Sequence, residues 1–299
     1  MLEKFLYRPN CELCGSDKKK ILFSKEFVDL AVWNFLNAYY ESRINKNDLA
    51  DAKYEIAKCS ACGFIWQTNI LNDELTEKLY GNWISPEQSF VKKKCADISL
   101  FYGYAREVRD IFSLLSVKPC EIDVLDFGMG WGHWCLMAKA FGCNARGFEI
   151  SGERVQFARK NGIEVIDNFA GVASYKFDFI NAEQVFEHIN NPLQTLKFLA
   201  RSLKNGGLIH ISVPNGNNIE RELATPGWKI TKNPIHPLEH INCFTHRTLV
   251  KLGESAGLEP VRQLFLASCG YGLKSYIRGI LGKNYQQYFG TSLYFKKKQ

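Results

Sequence analysis

Three groups of residues in this 299-residue chain have types and spacings that could do chemistry. Two Cys-x-x-Cys pairs, Cys11/Cys14 and Cys59/Cys62, are each followed directly by glycine. That is the knuckle arrangement: two thiolates grip one metal ion from a tight turn. Two knuckles make a closed four-cysteine site, the structural form of zinc binding, with no position left for a reacting water. A redox pair would call for a single motif near a βαβ unit. The second group is Asp126-Phe-Gly128-Met-Gly130-Trp-Gly132, placed between an apolar run and a helix-compatible run, Trp134 to Phe141. Alternating glycines let the backbone approach a ligand closely, and the following helix aims free N–H groups at the same place. The third group is His188 beside Glu187, together with His236, Glu239 and His240. Imidazole and carboxylate groups of this kind can move protons.

The elements that must position these groups follow from periodicity. Ile122, Val124 and Leu125 start a buried strand ending at Asp126. Ala145 to Glu149 form a second strand, followed by a helix Gly152–Lys160. Glu149 stands 19 residues after Gly130, where a carboxylate can accept hydrogen bonds from both ribose hydroxyls of a nucleoside. Ser151 is available to cap the helix, which weakens a purely capping role for Glu149. A third strand covers Gly162 to Asp167 and a fourth Phe177 to Asn181. Helix Leu193–Leu203 and the turn Lys204–Gly207 lead to a fifth, Leu208–Val213. A dinucleotide fingerprint would need a small residue where His133 stands, and the ring excludes it.

The run from Asp126 to Gly132 resembles the first motif of class I S-adenosylmethionine (SAM) dependent methyltransferases. Further likenesses follow in the family's order. Glu183, Glu187 and His188 lie in a segment after the fourth strand, before Asn191-Pro192, and Asn205-Gly206-Gly207 precedes an apolar strand. The resemblance covers about Ile122 to Gln299 and implies an α/β, Rossmann-like sheet of seven strands. The last strand would be antiparallel, with Leu258–Ala267 and Thr291–Phe295 as the final two. It implies SAM as methyl donor, held by Asp126, Gly128, Gly130, Gly132, Glu149, Asp167 and Glu183, with the Asp167 position at the adenine amino group.

His236 to His240 also spells H-x-x-E-H, the inverted zinc-protease pattern, but Pro237 argues against the helix that pattern requires. The segment resembles the E-H-I-x-x-F run of methyltransferases acting on sugars and related metabolites. In deoxysugar C-methyltransferases its glutamate and histidine serve acid–base roles, so His240, Glu239 and His188 are the catalytic candidates. The tyrosine those enzymes carry just upstream is not evident here. A subset of quinone-pathway O-methyltransferases binds a divalent cation beside the fourth strand. Their acids are spaced differently from Glu183, Glu187 and His188, so these three predict no metal.

Composition is that of an ordinary globular protein, 46% hydrophobic and 23% charged. The division expected is a zinc-ribbon-like module with an aromatic insertion (1–70), a helical linker or lid (71–118) and a methyltransferase domain (119–299). The insertion runs from Phe27 to Tyr40, and the linker helix from Ser99 to Ser116. An aromatic stripe on such a helix is more often packing, but in class I methyltransferases this helix commonly closes over SAM, so the resemblance implies a place near the donor for Tyr102 and Tyr104. No apolar run approaches the roughly 18 residues of a membrane span, and the N-terminus carries no signal-like segment, which predicts a cytoplasmic protein. The remaining cysteines, at 95, 120, 135, 143, 243 and 269, show no pairing and read as small apolar residues or free thiols. A net charge of +7 with three lysine triplets suits solvated surface or an anionic partner. The acceptor expected is a small molecule, an activated sugar or surface-glycan precursor of the kind that can be nucleotide- or phosphate-linked. Two other functions fit the same features: an RNA methyltransferase that grips nucleic acid with the zinc module, and a catalytically silent partner of the same fold.

Overall fold

The computed structural model describes residues 4–261, 281–282, 285–286 and 289–298. Its N-terminal part is built from short antiparallel strands. Strands β1 (Phe5–Tyr7) and β5 (Asn69–Leu71) pair with each other; β2 (Lys19–Glu26), β3 (Lys53–Cys59) and β4 (Ile65–Gln67) form a second sheet. Helix α1 (Leu30–Tyr39) fills the insertion, its N-terminus capped by Asp29, whose side chain accepts from the Ala31 N–H. Three helices then lead to the main domain: α2 (Asp73–Lys78), α3 (Pro86–Lys94) and α4 (Ile98–Leu115). Helix α2 is short: the Asn72 side chain caps its start, and a π-helical turn, Leu79–Trp83, follows it. Helix α4 buries Tyr104, Val108 and Ile111, a stripe at helical spacing, against one face of the main sheet, in a cluster with Val124, Phe179 and Leu208.

That sheet contains β6 (Asp123–Phe127), β7 (Asn144–Phe148), β8 (Glu164–Ile166), β9 (Phe177–Glu183), β10 (Leu203–Ser212), β12 (Leu258–Pro260) and β13 (Ser292–Lys297). Helices α5 (His133–Ala140), α6 (Gly152–Lys160) and α7 (Pro192–Ser202) connect its parallel strands. The order is β12-β13-β10-β9-β6-β7-β8, with β13 antiparallel to both of its neighbours. This is the seven-stranded mixed sheet that the sequence predicts. Val124 and Leu125 in the inner strand β6 are fully buried because helices cover both faces of a parallel sheet.

Two boundaries differ instructively. The turn expected at Lys204–Gly207 lies inside β10 as an irregularity: Leu203 pairs with Phe177 and Leu208 already with Phe179. A Cβ at Gly207 would come within 2.9 Å of the Phe177 carbonyl oxygen, so glycine is required where the extra residues are looped out. The sixth strand stops at Pro260, and residues 262–267 of the expected strand lie outside the described part, as does Cys269.

After β10 come α8 (Ile219–Leu223), β11 (Asn242–Cys243) and α9 (His246–Ser255). Strand β11 leaves the main domain and pairs with β4, Asn242 opposite Trp66 and Cys243 opposite Ile65. The N-terminal sheet is therefore β11-β4-β3-β2, completed by a segment from the other end of the chain. The apolar core is continuous across the boundary, since Leu13, Phe64 and Trp66 pack in one cluster with Leu125, Ile180 and Leu249.

Candidate functional site

The glycine loop leaves β6 and turns at once into α5. Gly130 has φ +56°, and a Cβ built there meets nothing within 4 Å. Gly132 has φ +76°, and a Cβ there would strike Ile163 at 2.4 Å. The first glycine thus keeps a space open and the second allows the helix to pack. The space is a cleft of about 200 Å³ bordered by Tyr104, Asp126, Gly128, Gly130, Trp134 and Glu183, among others.

Glu149 holds the loop in shape. One carboxylate oxygen accepts from the Gly130 N–H at 3.0 Å, the other from the Ile150 and Ser151 N–H groups at 2.9 Å. The Ser151 side chain makes no capping bond, so Glu149 itself serves the start of α6. Asp126, 4% exposed, accepts a bond from Asn181 Nδ2 at 2.9 Å. Burial raises its carboxyl to about 7, partly countered by that bond. Asp167 lies at the exposed end of β8 in an ion pair with Arg159 (2.7 Å) and does not border the cleft. Tyr104 borders it, whereas Tyr102 is exposed. His133 also lines the cleft, with Phe101 against its ring.

Sequence reasoning missed Trp131, Ser89 and Arg154. Trp131 Nε1 donates to Ser89 Oγ on α3 at 3.2 Å, and Arg154 sits over the indole while lying 3.7 Å from Glu149. A bulky aromatic between two loop glycines was the available signal.

The four cysteines Cys11, Cys14, Cys59 and Cys62 converge, with their sulfurs all within 4.8 Å of one another. Cys11 to Cys62 and Cys14 to Cys59 are 3.5 Å apart. A tetrahedral zinc–thiolate site with Zn–S near 2.3 Å needs sulfur–sulfur edges of about 3.8 Å. The donor set and its spacing fit that ion. Gly15 and Gly63, both at positive φ, close the two knuckles with N–H bonds to the carbonyls of Cys11 and Cys59. Of the other cysteines, Cys135, Cys143 and Cys243 are buried, while Cys95 and Cys120 are exposed.

The third group gathers beyond the end of β9. Residues 236–240 form no helix, which removes the inverted protease pattern. His236 is fully buried, and its Nδ1 accepts from the N–H groups of Leu238 (3.3 Å) and Glu239 (3.2 Å). The ring proton is therefore on Nε2, which faces the Glu239 carboxylate at 3.8 Å. The Tyr40 hydroxyl donates to the same carboxylate oxygen at 2.8 Å. His188 Nδ1 lies 2.8 Å from the Glu239 carbonyl oxygen, so that nitrogen carries the proton and Nε2 is a bare lone pair. Burial pushes His188 down to about 4 and His240 to about 3. His188 and His240 have ring centroids 4.9 Å apart.

The N-terminal part straps this loop in place. Gln67 Nε2 donates to the carbonyls of His236 and His240. Asn242 Nδ2 donates to the carbonyls of Phe186 (2.9 Å) and Ile189 (2.7 Å), while Arg8 donates to Asn242 Oδ1 at 2.8 Å. Lys232 is exposed at the rim, its ammonium 5.9 Å from the Tyr39 ring. Among the described residues, no helix is long and apolar enough to cross a membrane.

Residues 99–263 match a protein family described as a methyltransferase domain. The chain is 29% identical over 168 residues to the ubiquinone biosynthesis O-methyltransferase of Maricaulis maris, covering 52% of this chain and 65% of that one. It is 26% identical over 114 residues to the enzyme of the same description from Xanthomonas oryzae pv. oryzae, covering 35% and 48%. The chain thus spans about half the length of the curated relatives it matches. Among solved structures it is similar to the plantazolicin methyltransferase BpumL in complex with SAH, with TM-score 0.49, 16% identity, and 75% and 94% of the two chains covered.

Proposed function

This chain belongs to the methyltransferase-domain family, and we propose that it transfers a methyl group from SAM to a small-molecule acceptor. The observation that carries the reading is the open space over Gly130, where an added Cβ would project into the cleft and meet no other atom. In this reading Gly128, Gly130 and Gly132 give the donor access to the backbone. Asp126 and Glu183 border its cleft, and Glu149 keeps lone pairs for the ribose while bracing the loop. Asp167 is assigned to the adenine end by resemblance alone. SAM supplies an electrophilic methyl group on a sulfonium, so the protein's task is in-line placement of the acceptor and removal of its proton.

For the acceptor side we propose the pocket around His188, Glu239 and His240. His188 presents an unprotonated Nε2, and His240 a buried Nδ1 without a hydrogen-bond partner. Both are suited to contact an acceptor's polar groups. Lys232 at the rim favours an anionic acceptor such as a phosphate-linked sugar or glycan precursor. We assign structural zinc to Cys11, Cys14, Cys59 and Cys62. The units proposed are the zinc module 1–70, the linker 71–118 and the methyltransferase domain 119–299, with β11 stitched into the module's sheet.

The test is incubation of the protein with labelled SAM and, separately, a small-molecule cell extract and total RNA, followed by mass spectrometry. Label in an anionic low-mass product supports the reading. Label in RNA, with salt-sensitive RNA binding, overturns it. Absence of SAM binding by calorimetry with the zinc site filled would identify a silent partner instead.

A further inference from the structure

We propose that Glu187, His188 and His240 form a site for one divalent transition-metal cation, held by a carboxylate and two imidazoles with its other positions open to the acceptor. The inference rests on the reading of this pocket as the acceptor's, and it names how the pocket would hold acceptor oxygens.

The starting observation is a conflict between lone pairs. Glu187 is 1% exposed, and neither carboxylate oxygen has a hydrogen-bond partner. His188 Nε2 lies 3.8 Å from one of them, Oε1. Because His188 Nδ1–H is committed to the Glu239 carbonyl, that Nε2 is itself an acceptor. Two buried acceptors thus face each other with nothing between them, an arrangement that costs free energy unless a positive centre joins them. His240 adds a third: its Nδ1 is buried and unpartnered, while the ring's hydrogen bond goes to the Pro234 backbone. Ligand atoms of all three residues lie within 4.8 Å of one another.

The surroundings are those of a prepared ligand set. Metal-bound imidazoles commonly donate their second N–H to a backbone carbonyl, which fixes the tautomer and the ring; His188 does this to Glu239. The loop bearing His240 is held by Gln67, and the segment bearing Glu187 and His188 is held at both ends by Asn242. The nearby acids are Glu183 and Glu239; Tyr80 stands 3.4 Å from His188 Nδ1, and Lys232 is at the rim. One carboxylate and two neutral imidazoles suit a borderline divalent ion and leave open positions, as catalytic sites built from two histidines and a glutamate do. Glu183, in contrast, borders the donor cleft. Glu183, Glu187 and His188 alone predicted no metal, because their acids are spaced unlike those of the cation-binding relatives; the third ligand proposed here comes from a loop 52 positions after His188. A cation there would bind an acceptor hydroxyl and ease loss of its proton, as bound metals do for water.

The probe is Mn2+, a paramagnetic, oxygen-preferring ion that leaves the thiolate site to zinc. Titration of the full-length, zinc-loaded protein, followed by electron paramagnetic resonance, should remove one equivalent of free Mn2+ signal per chain. Glu187→Gln and His240→Gln should each weaken this by more than about 100-fold, with zinc content and SAM affinity unchanged. If a variant fails to fold, pulsed resonance on the wild-type complex decides: two imidazole nitrogen couplings support the site. No Mn2+ uptake, no nitrogen couplings, or uptake indifferent to both substitutions overturns it. In that case Glu187 keeps its proton and shares it with His188. Loss of SAM binding alone would sink the methyl-transfer reading while leaving the cation site standing.

Discussion

The cleft proposed for the donor and the buried cluster proposed for the acceptor meet at the end of β9, yet they are built on opposite plans. The donor cleft is local: Asp126 to Gly132 and Glu149 come from one strand–loop–helix unit and the next strand. Its central carboxylate, Glu149, is held through both oxygens by backbone N–H groups, with acceptor capacity left on Oε2. The acceptor pocket is assembled from α1, the end of β9 and the loop before β11. It retains buried polar atoms without partners on Glu187, His236 and His240. The cleft has one such atom too, Trp134 Nε1, but its glycine loop is held in shape by backbone bonds before any ligand arrives. A site with orphaned atoms pays for burial now and recovers that free energy only when something polar or charged binds.

The sharpest way to separate the two is to fill one of them. Gly130→Val forces a β-branched residue to φ +56° and places its side chain in the cleft. SAM affinity should fall by more than about 100-fold, roughly 2.7 kcal/mol, with zinc content unchanged. Calorimetry showing retained affinity would remove this loop from the donor site.

The converse change strikes the acceptor side. Asn242 is 1% exposed and joins Arg8 to the carbonyls of Phe186 and Ile189. Asn242→Ala takes a partner from two buried carbonyls and from one nitrogen of the Arg8 guanidinium, a cost of about 2–4 kcal/mol. Denaturant unfolding should show that loss, while SAM affinity of the folded protein changes by less than about threefold. A large loss of SAM affinity would mean the two sites are not separable.

Much of the donor side was legible because its residues are contiguous and each type has one physical use. Glycines at a strand-to-helix turn, a carboxylate after the next strand and an apolar central strand all survive in the structure. Asp167 shows the limit, since a family position was carried over and the side chain lies exposed, paired with Arg159. The acceptor side was legible only as residue types. Nothing near His240 announces Gln67, and nothing near Glu239 announces Tyr40, 199 positions away. These contacts exist because β11 pairs with β4, and a two-residue strand carries too little pattern to be read. Trp131 was missed for a different reason: its partners Ser89 and Arg154 lie on separate helices.

A milder test uses pH. Burial holds the Asp126 carboxyl at about 7 and the Glu107 carboxyl at about 8, against about 4 when unfolded. Above pH 4 the unfolded chain releases these protons first. Stability present at low pH is therefore lost as pH rises toward the folded values. Buried His188 and His210, both lowered to about 4, act oppositely as pH falls below about 6.5. Between pH 6.5 and 8 the carboxyls act without that opposition. The Tm of the SAM-free protein should fall across this interval, and fall less in Asp126→Asn. An equal fall in both would show that Asp126 is already ionised in the donor cleft.

The smallest predicted effect bears on whether the acceptor pocket depends on the N-terminal part for polar contacts as well as for packing. Tyr40 is 1% exposed, and α1 ends beside it, so its ring is fixed by Leu36, Trp83 and neighbouring aromatics. Its hydroxyl donates to Glu239 at 2.8 Å, and burial holds the phenol well above its ordinary pKa, so it remains a donor at any physiological pH. Tyr40→Phe keeps the ring and deletes that one donor. The Glu239 carboxylate retains Tyr39 and faces His236 Nε2–H, so the loss should be about 1–2 kcal/mol rather than a collapse of the loop. Because the lost bond favours the ionised acid, the Glu239 carboxyl should titrate higher in the variant, measurable by carbon-13 NMR of labelled glutamate. An unchanged titration with unchanged stability would leave Tyr40 a packing residue. The polar links between the two parts of the chain would then be carried without Tyr40, by Arg8, Gln67 and Asn242 and by the Lys58–Glu220 ion pair.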